Sequence, residues 1–321
     1  MDYIHVENLC KQFQIRRKRE KGSLVREKQV LHALQNVCFD IGRGELVGYI
    51  GPNGAGKSTT VKILSGILTP ESGTVLVGGQ VPWKNRKTYV RRIGVVFGQR
   101  MQLWWDVPIV DSFLLLKDIY RLPEEAYRKR LDELTQALDL GDLLRVPLRQ
   151  LSLGQRMRAE LCGSLLHQPE LLFLDEPTIG LDAVSKLALR DFLRWENREH
   201  RTTILLTTHD MEDVAALCSR VMVLGHGSKL YDGALSGLLE KYDRTRTVTV
   251  EYEGEADLSL FPPDTLVHRE GARIRVSWLQ DRAETAPLLA RLQKAGTVRE
   301  MTIQPENIDQ MIAKMYQEMG L

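Results

Sequence analysis

The sequence GPNGAGKS at residues 51–58 constrains the fold of this chain more than any other feature, because it matches the pattern G-x-x-x-x-G-K-[ST] at every fixed position. The apolar run 46–50 before it predicts a buried strand, and the apolar residues that recur after it predict a helix with one inward face. This strand–loop–helix context is the one that a phosphate-binding loop requires. Glycines let consecutive backbone N–H groups point into one concavity, and the positive end of the helix adds to the attraction for an anion. The stretch therefore predicts a binding site for nucleotide phosphates.

The side chains of this loop have separate expected roles. Lys57 would reach the β- and γ-phosphates, and the Ser58 hydroxyl would bind Mg²⁺. The residues expected to hold the nucleotide in this stretch are Gly51, Pro52, Asn53, Gly54, Ala55, Gly56, Lys57, Ser58 and Thr59.

Length and composition limit the kind of protein that carries this loop. The chain has 321 residues, enough for two domains, and its 43% hydrophobic and 27% charged residues are typical of a soluble globular protein. The net charge of +2 gives no support for nucleic-acid binding. The four cysteines have no paired spacing and predict reduced thiols of a cytosolic protein. Neither a signal peptide nor an apolar run of membrane-spanning length is found, so we expect any work at a membrane to require another chain.

Two further segments predict residues for hydrolysis. The apolar strand 171–174 runs into Asp175, which would hold the Mg²⁺ shell, and Glu176, which would face the attacking water. The β-branched strand 203–208 ends at His209. Because ligands of α/β proteins bind at the carboxyl ends of strands, this position favours a functional histidine over a structural one.

A helical block separates the phosphate loop from the acidic pair. Residues 109–140 have helical periodicity, and Leu-Ser-Leu-Gly-Gln at 151–155 precedes another amphipathic helix. A serine and a glycine at the N-terminus of a helix predict a second anion site.

Together these motifs resemble the ATP-binding subunit of ABC transporters. Six motifs of that family occur in the family's order: the phosphate loop 51–58, the loop glutamine Gln99, the signature 151–155, the acidic pair Asp175-Glu176, the Asp182 loop and His209. The resemblance covers residues 1 to about 240. The segment Gln-Leu-Trp-Trp-Asp and the signature make the chain most similar to the ATPase subunits of drug- and viologen-type exporters.

The resemblance implies an α/β fold. We expect residues 1–240 to form a phosphate-loop ATPase core, with a mixed sheet, flanking helices and an inserted helical subdomain at about 100–165. Residues 241–321 lie beyond the family core. Their alternating apolar residues, a capping box at Asp281 and Glu284, and a helix from Pro305 to Glu318 predict a small α+β domain. This domain would dimerise, regulate or bind a small ligand.

The resemblance also implies roles for individual residues. Two subunits would pair head to tail, so that Ser152, Gly154 and Gln155 of one copy close over the ATP held by the other. Glu176, His209 and Gln99 would be catalytic, and Ser58, Gln99 and Asp175 would hold the metal. Phe13 would stack on adenine, and Asp182 would belong to the nucleotide site. Gln99 would also sense the membrane subunit.

Three features depart from the family pattern. Leu153 replaces a common glycine, Gly98 is an extra residue before Gln99 that makes Gln102 a rival for the glutamine's role, and the basic segment 14–30 follows Phe13. The basic segment predicts either a solvated, extended hairpin loop or contact with anionic lipid headgroups. Trp104 and Trp105 predict either core packing or a docking surface.

The expected function is ATP hydrolysis, with ATP and Mg²⁺ as cofactors. A homodimer of this chain would power separate transmembrane permease subunits of an exporter at the cytoplasmic face of the cell membrane, as a peripheral subunit, without nucleic acid. The alternative is a soluble ABC ATPase without a transport role, acting in DNA repair, translation or cluster assembly. Repair members carry a long coiled coil and translation members carry two ATPase domains, and neither feature occurs in this sequence.

Overall fold

The computed structural model describes residues 2–18, 26–98, 100–242, 245–254, 256–257, 266–270, 273–279, 285–305, 315–318 and 320. The chain divides into two compact units, Met1–Ala234 and Leu235–Gly320. The division falls shortly before the boundary at 240 that the sequence predicts. Among the described residues, no helix combines the length and the apolar character needed to span a bilayer.

The first unit contains two sheets. The smaller is antiparallel, in the order β2-β1-β4, and consists of β1 (Asp2–Lys18), β2 (Arg26–Gly42) and β4 (Ser72–Val77). The larger has the order β5-β6-β7-β3-β8-β9 and consists of β3 (Leu46–Ile50), β5 (Ile93–Phe97), β6 (Leu171–Asp175), β7 (Thr203–Thr208), β8 (Arg220–Gly225) and β9 (Ser228–Ala234). All its pairs are parallel except β8–β9. The predicted mixed sheet of an α/β fold is confirmed.

Helices connect the parallel strands. They are α1 (Lys57–Leu64), α2 (Arg86–Tyr89), α3 (Ile109–Tyr120), α4 (Glu124–Ala137), α5 (Leu153–Leu165), α6 (Ala183–His200) and α7 (Met211–Leu217), with short 3-10 turns at Val90–Arg92, Gly141–Leu143 and Leu148–Gln150. The strands of the larger sheet read as continuous apolar runs because helices and the smaller sheet cover them. Ile4, Val37, Val47, Ile63 and Phe173 are buried in one core cluster that joins the two sheets and α1.

The order of the parallel strands gathers four segments at one edge of the larger sheet. The carboxyl ends of β3, β5, β6 and β7 point the same way. The phosphate loop, Gly98, the acidic pair and His209 each follow or end one of these strands. Residues that are far apart in sequence therefore meet at this edge, as is usual for ligand sites in open α/β sheets.

The N-terminal segment differs from the sequence-based expectation. The sequence of residues 3–7 and 10–15 predicts two short strands with a turn at Asn8 between them, but β1 is one strand interrupted by bulges. Asn8 has a φ of 51°, and the register shifts between Val6 and Leu9. The left-handed conformation that asparagine tolerates in turns also suits a bulge, so the pairing of β1 with β2 and β4 decides between the two.

The predicted basic hairpin loop is also shorter than expected. The β1–β2 pairing continues through Lys18 and Arg26, so most of the segment 14–30 is a two-stranded ribbon. Residues 19–25 lie outside the described part of the chain.

The second unit is a four-stranded antiparallel sheet with helices. Its elements are α8 (Leu235–Tyr242), β10 (Thr245–Tyr252), β11 (Leu266–Glu270), β12 (Arg273–Leu279), α9 (Thr285–Lys294) and β13 (Val298–Pro305), with strand order β11-β12-β10-β13. Val248, Val250, Val276, Leu288 and Leu292 form its core. The predicted α+β character of this region is confirmed.

Pro305 does not open a helix as the sequence predicts. It ends β13, opposite Arg246 of β10, where a residue without an N–H is tolerated at the end of an edge strand. Residues 306–314, and the proposed capping box at Asp281 and Glu284, lie outside the described residues, while residues 315–318 are helical.

Candidate nucleotide site

The phosphate loop runs from the end of β3 into α1. Gly56 lies at the N-cap of α1 with a φ of 109°, and no side chain caps the first turn of the helix. A Cβ at Gly56 would come within 2.6 Å of the carbonyl oxygen of Ala33, so a side chain is excluded there both by its backbone conformation and by the neighbouring strand. The N–H groups of the first turn of α1 remain available to bind an anion.

The amino group of Lys57 is held at the floor of this loop. Its Nζ donates hydrogen bonds to the carbonyl oxygens of Gly51 at 2.6 Å and Pro52 at 3.3 Å, and it lies 3.9 Å from Glu176 Oε1. Burial lowers the pKa of Lys57, and the nearby carboxylates of Glu176 and Asp175 act in the opposite direction. The loop thus contains a largely buried cation that is available to phosphate.

Ser58 and Asp175 lie next to each other at the end of β6. Ser58 Oγ donates to Asp175 Oδ1 at 3.1 Å, and Thr207 Oγ1 donates to the same oxygen at 2.5 Å. A hydroxyl and a carboxylate oxygen beside a phosphate loop fit Mg²⁺, which binds one or two protein ligands together with phosphate and water. No cluster of three or more histidine, cysteine or acidic side chains suited to a metal occurs among the described residues, and this type of site does not need one.

Glu176 and His209 form a hydrogen-bonded pair. His209 Nδ1 lies 2.5 Å from Glu176 Oε2. The backbone of Glu176 is left-handed, with a φ of 57°, and its N–H donates to the carbonyl of Thr207 at 2.9 Å. The carboxylate is therefore directed by its own strained backbone and by the imidazole.

Gly98 accounts for part of this arrangement. Its N–H donates to the carbonyl of Asp175 at 2.8 Å, and a Cβ at Gly98 would overlap the carbonyl oxygen of Glu176. The glycine that looks like an extra residue in the sequence allows the chain after β5 to pack directly on the acidic pair. A glycine at the carboxyl end of a buried strand is the sequence signal that identifies such a close approach.

These groups line one cavity of about 580 Å³. Of the predicted site residues, Phe13, Asn53 to Thr59, Asp175, Glu176 and His209 line it. Sequence reasoning missed other lining residues, among them His32, Lys62, Gly98, Arg100 and Ile179. The volume is within the range of ordinary small-molecule sites.

Phe13 lies on β1 opposite Leu31 of β2, and both side chains line the cavity. The ring is partly buried, and Lys11 Nζ lies 5.4 Å from its centroid. The long β1–β2 ribbon therefore leaves Phe13 at the cavity wall, where an aromatic face is available to a planar base.

Comparisons with known proteins agree with this geometry. A family model described as ABC transporter matches residues 34–179. The daunorubicin resistance ATP-binding protein DrrA3 of Streptomyces coeruleorubidus is 33% identical over 268 residues, which are 82% of this chain and 84% of that protein. The methionine import ATP-binding protein MetN 2 of Enterococcus faecalis (strain ATCC 700802 / V583) is 29% identical, over 73% of this chain and 69% of that protein.

A solved structure is similar as well. It is a dimeric, post-hydrolysis state of the ATP-binding cassette MJ0796 bound to ADP and Pi, with a TM-score of 0.63 and 26% identity, covering 72% of this chain and 98% of that one. This chain belongs to the ATP-binding proteins of ABC transporters. It is an ATPase.

The signature of this ABC ATPase lies outside its own nucleotide cavity. Ser152 and Gln155 form a capping box at the start of α5: Gln155 N donates to Ser152 Oγ at 3.2 Å, and Ser152 N donates to Gln155 Oε1 at 2.8 Å. Leu153, in place of a glycine, is partly exposed and lies close to Gly180. None of Ser152, Gly154 and Gln155 is among the residues that line the described cavity.

Asp182 lies beside the signature and away from the cavity. It caps α6 by accepting the N–H of Ser185 at 2.8 Å, and this bond lowers the pKa of its carboxyl. A Cβ at Gly154 would overlap the Ser185 hydroxyl, so the start of α5 packs tightly on the start of α6. The structure thus packs Gly154 against the helix that Asp182 caps, and neither residue lines the cavity of the same chain.

Gln99 lies outside the described residues, so its predicted role is untested. The rival residue, Gln102, does not line the cavity; its side-chain amide donates to the carbonyl of Val95 on β5. Arg100, between the two, does line the cavity. Arg100 therefore adds a basic side chain to a cavity wall that also contains Lys57 and Lys62.

The two adjacent tryptophans are exposed in this ABC ATPase. Trp104 is 58% exposed and Trp105 is 46% exposed. The guanidinium of Arg156 lies 4.5 Å from the Trp105 ring centroid. Neither side chain is part of the core, so of the two alternatives the structure favours a surface role.

Proposed function

We propose that this ATPase works as a head-to-tail homodimer and powers a separate transmembrane permease of an exporter, as a peripheral subunit at the cytoplasmic face of the membrane. One observation supports the proposal of a dimer. The cavity has groups for binding phosphate, metal and water, whereas Ser152 and Gly154 of the signature lie elsewhere on the same chain. A second copy, arranged as in a dimeric cassette, would supply the signature to this cavity.

The residues of the cavity divide the chemistry of ATP hydrolysis among them. The loop N–H groups and Lys57 bind the phosphates, and Phe13 offers a face to adenine. The Ser58 hydroxyl and the Asp175 carboxylate would hold Mg²⁺, which neutralises charge on the phosphates when it is bound. Gln99 is proposed to complete this shell.

Glu176 orients the attacking water and takes its proton as the water oxygen bonds to the γ-phosphorus. The bond between the γ-phosphorus and the β–γ bridging oxygen breaks, and ADP leaves with the electron pair. His209 holds the Glu176 carboxylate in place through its 2.5 Å contact and would contact the γ-phosphate. The signature of the partner copy would close over the phosphates from the other side.

The direction of transport rests on similarity. The daunorubicin resistance protein is 33% identical over most of both chains, which supports export, while the methionine import protein is 29% identical over a smaller share. A peripheral position is supported by the family, whose members carry the ATPase activity of a transporter.

The test is purification of the chain from detergent-solubilised membranes of its own host. We expect a membrane-spanning permease to co-purify in stoichiometric amount and to change the ATPase rate when both are returned to vesicles. Export further predicts that cells lacking the chain retain the transported compound, whereas import predicts reduced uptake. A dimer recovered without any membrane protein, with an ATPase rate indifferent to membranes, would favour the soluble ATPase.

A further inference from the structure

Glu160 is a buried carboxylate in the middle of α5, about two helical turns after the signature serine. Its side chain is 2% exposed. Its Oε1 accepts two backbone N–H groups, that of Gln102 at 2.9 Å and that of Leu103 at 3.0 Å. Its Oε2 is buried and has no hydrogen-bond partner among the described residues.

The two amides belong to the loop 100–108, which is the part of the connection from β5 to α3 that directly precedes α3. At one end this loop continues the chain from Gly98, which packs on Glu176. At its middle it presents the exposed Trp104 and Trp105. The loop therefore joins the hydrolytic pair to an exposed aromatic surface.

A second contact fixes the same loop to α5. Leu103 is buried, and a Cβ at Gly163 would come within 3.0 Å of its Cδ2. Glu160 and Gly163 lie one turn apart on α5, so they hold the backbone and the side chain of the loop on one face of the helix. Few displacements of this loop are possible without moving α5 or breaking these contacts.

Burial of the ionised Glu160 carboxylate costs free energy. Burial raises the pKa of Glu160 to about 7, and the two N–H donors offset only part of this effect. No charged side chain is among the causes of this shift, so the loop amides are the groups that stabilise the ionised form. An apolar side chain of the same size would avoid this cost but would leave two buried N–H groups unpaired.

We infer that Glu160 is a positioning residue that joins the loop 100–108 to α5, the helix that begins at the signature. Displacement of Trp104 and Trp105 would then move Ser152 and change the rate of ATP hydrolysis. This inference rests on the proposed function, because Ser152 affects turnover only if the signature completes a nucleotide site. It assigns the connection to one carboxylate and two backbone amides.

The experiment uses the full-length ATPase with Glu160→Met, which keeps the volume and removes both acceptors. Glu160→Gln keeps a carbonyl oxygen for the two amides and is the rescue variant. Ser164→Ala removes a buried hydroxyl that bonds only within α5 and is the matched control. Amide hydrogen exchange of residues 100–108 and steady-state ATP hydrolysis over a range of ATP concentrations are measured for each.

In Glu160→Met we expect exchange at Gln102 and Leu103 to accelerate, and kcat to fall, by roughly tenfold each, with the KM for ATP within about twofold of the wild type. The phosphate loop and Lys57 are untouched, so ATP binding should survive. Glu160→Gln should restore most of the protection and of kcat, and Ser164→Ala should change neither. If Glu160 had a merely structural role, Glu160→Met would lower the melting temperature but would not lower kcat selectively while leaving KM unchanged.

Unchanged exchange in Glu160→Met would show that the carboxylate does not hold the loop. Accelerated exchange with unchanged kcat would show that the loop is not joined to turnover. Either result overturns the inference. Should Glu160→Met not fold, Glu160→Leu, which also removes both acceptors of the loop amides, is measured in its place, and the same two results would count against the inference.

Ser152→Arg, measured in parallel, separates this inference from the proposed composite site. If Ser152→Arg abolishes turnover while Glu160→Met leaves kcat unchanged, only the role of Glu160 is wrong. If Ser152→Arg also leaves turnover unchanged, the composite site itself is wrong, and the inference is lost with it.

Discussion

His209 Nδ1 lies 2.5 Å from Oε2 of Glu176, across the carboxyl ends of β6 and β7. An ionised Glu176 carboxylate can only accept, so Nδ1–H of His209 donates the hydrogen bond. Nε2 of the imidazole is then left for another partner. The backbone of Glu176 is fixed as well. The Glu176 N–H donates to the carbonyl of Thr207, and the Glu176 carbonyl packs on Gly98. The carboxylate is thus positioned by groups of its own chain, which favours efficient proton transfer from water.

Replacement of the buried lysine should abolish tight nucleotide binding. In Lys57→Ala the phosphates lose the cation that lies 2.6 Å from the Gly51 carbonyl, and we expect affinity for ATP to fall at least about a hundredfold. Titration with a fluorescent ATP analogue measures this. Lys62→Ala, which removes a more exposed lysine of the same cavity, is the control and should have a much smaller effect. Unchanged affinity in Lys57→Ala would contradict the assignment of the loop.

Glu176→Gln should separate binding from hydrolysis. The amide keeps the size of the side chain but cannot take a proton from water, so turnover should fall by at least about a hundredfold. ATP should still bind, and a closed ATP-bound dimer should accumulate on gel filtration. Normal turnover by a species that stays monomeric with ATP would count against the role of Glu176.

The composite site is tested with a mixed dimer. One copy carries Lys57→Ala and the other carries Ser152→Arg, so head-to-tail pairing places both lesions in one nucleotide site and leaves the other intact. We expect one working site, detected as one ATP bound per dimer. Because Ser152 also caps α5, the melting temperature of the Ser152→Arg copy is measured to show that it remains folded. Equal damage to both sites would rule out this pairing.

The exposed tryptophans should matter for partner binding and not for folding. Trp104 and Trp105 are 58% and 46% exposed, so Trp104→Ala and Trp105→Ala should leave the isolated subunit folded and active while at least one weakens capture of the permease. Thermal melting and pull-down of the permease are compared for the two variants. Core packing would instead cost on the order of 3–5 kcal/mol each. A large loss of melting temperature in both, with partner binding reduced only in proportion, would overturn the docking role.

Glu160 should make stability depend on pH. Its pKa in the folded protein, about 7, lies above the ordinary value of 4.5, so the folded state binds this proton more tightly than the unfolded chain. The stabilisation is fully present below the ordinary pKa and is lost as the pH rises through the folded-state value. Between about pH 5 and pH 8, the free energy of unfolding of the wild type should therefore fall relative to that of Glu160→Gln, by an amount on the order of 2–3 kcal/mol. Urea titrations at the two pH values measure the difference, and parallel curves would contradict the shift.

The sequence predicted those parts of the site that consist of consecutive residues. The phosphate loop is eight consecutive residues between a buried strand and a helix, and the strands at 46–50 and 203–208 have the predicted bounds. The spacing of apolar residues and the positions of glycines are enough to specify such elements, because no contact with a distant segment is needed to recognise them. Where local signals are ambiguous, the prediction was wrong: Asn8 forms a bulge and not a turn, and Pro305 ends a strand and does not begin a helix. Both residues suit either structure, and pairing with distant strands decides.

The family, the ATPase activity and the α/β class therefore follow from sequence alone, because motif residues at fixed spacing are bound to one type of local structure. Only the tertiary structure shows that Gly98 packs on Glu176, that Arg100 reaches the cavity, and that Glu160 binds amides 58 and 57 residues away. These contacts join segments that share no period or motif. They are decided by which strands become neighbours in the sheet and by which buried N–H groups need an acceptor once those strands are packed.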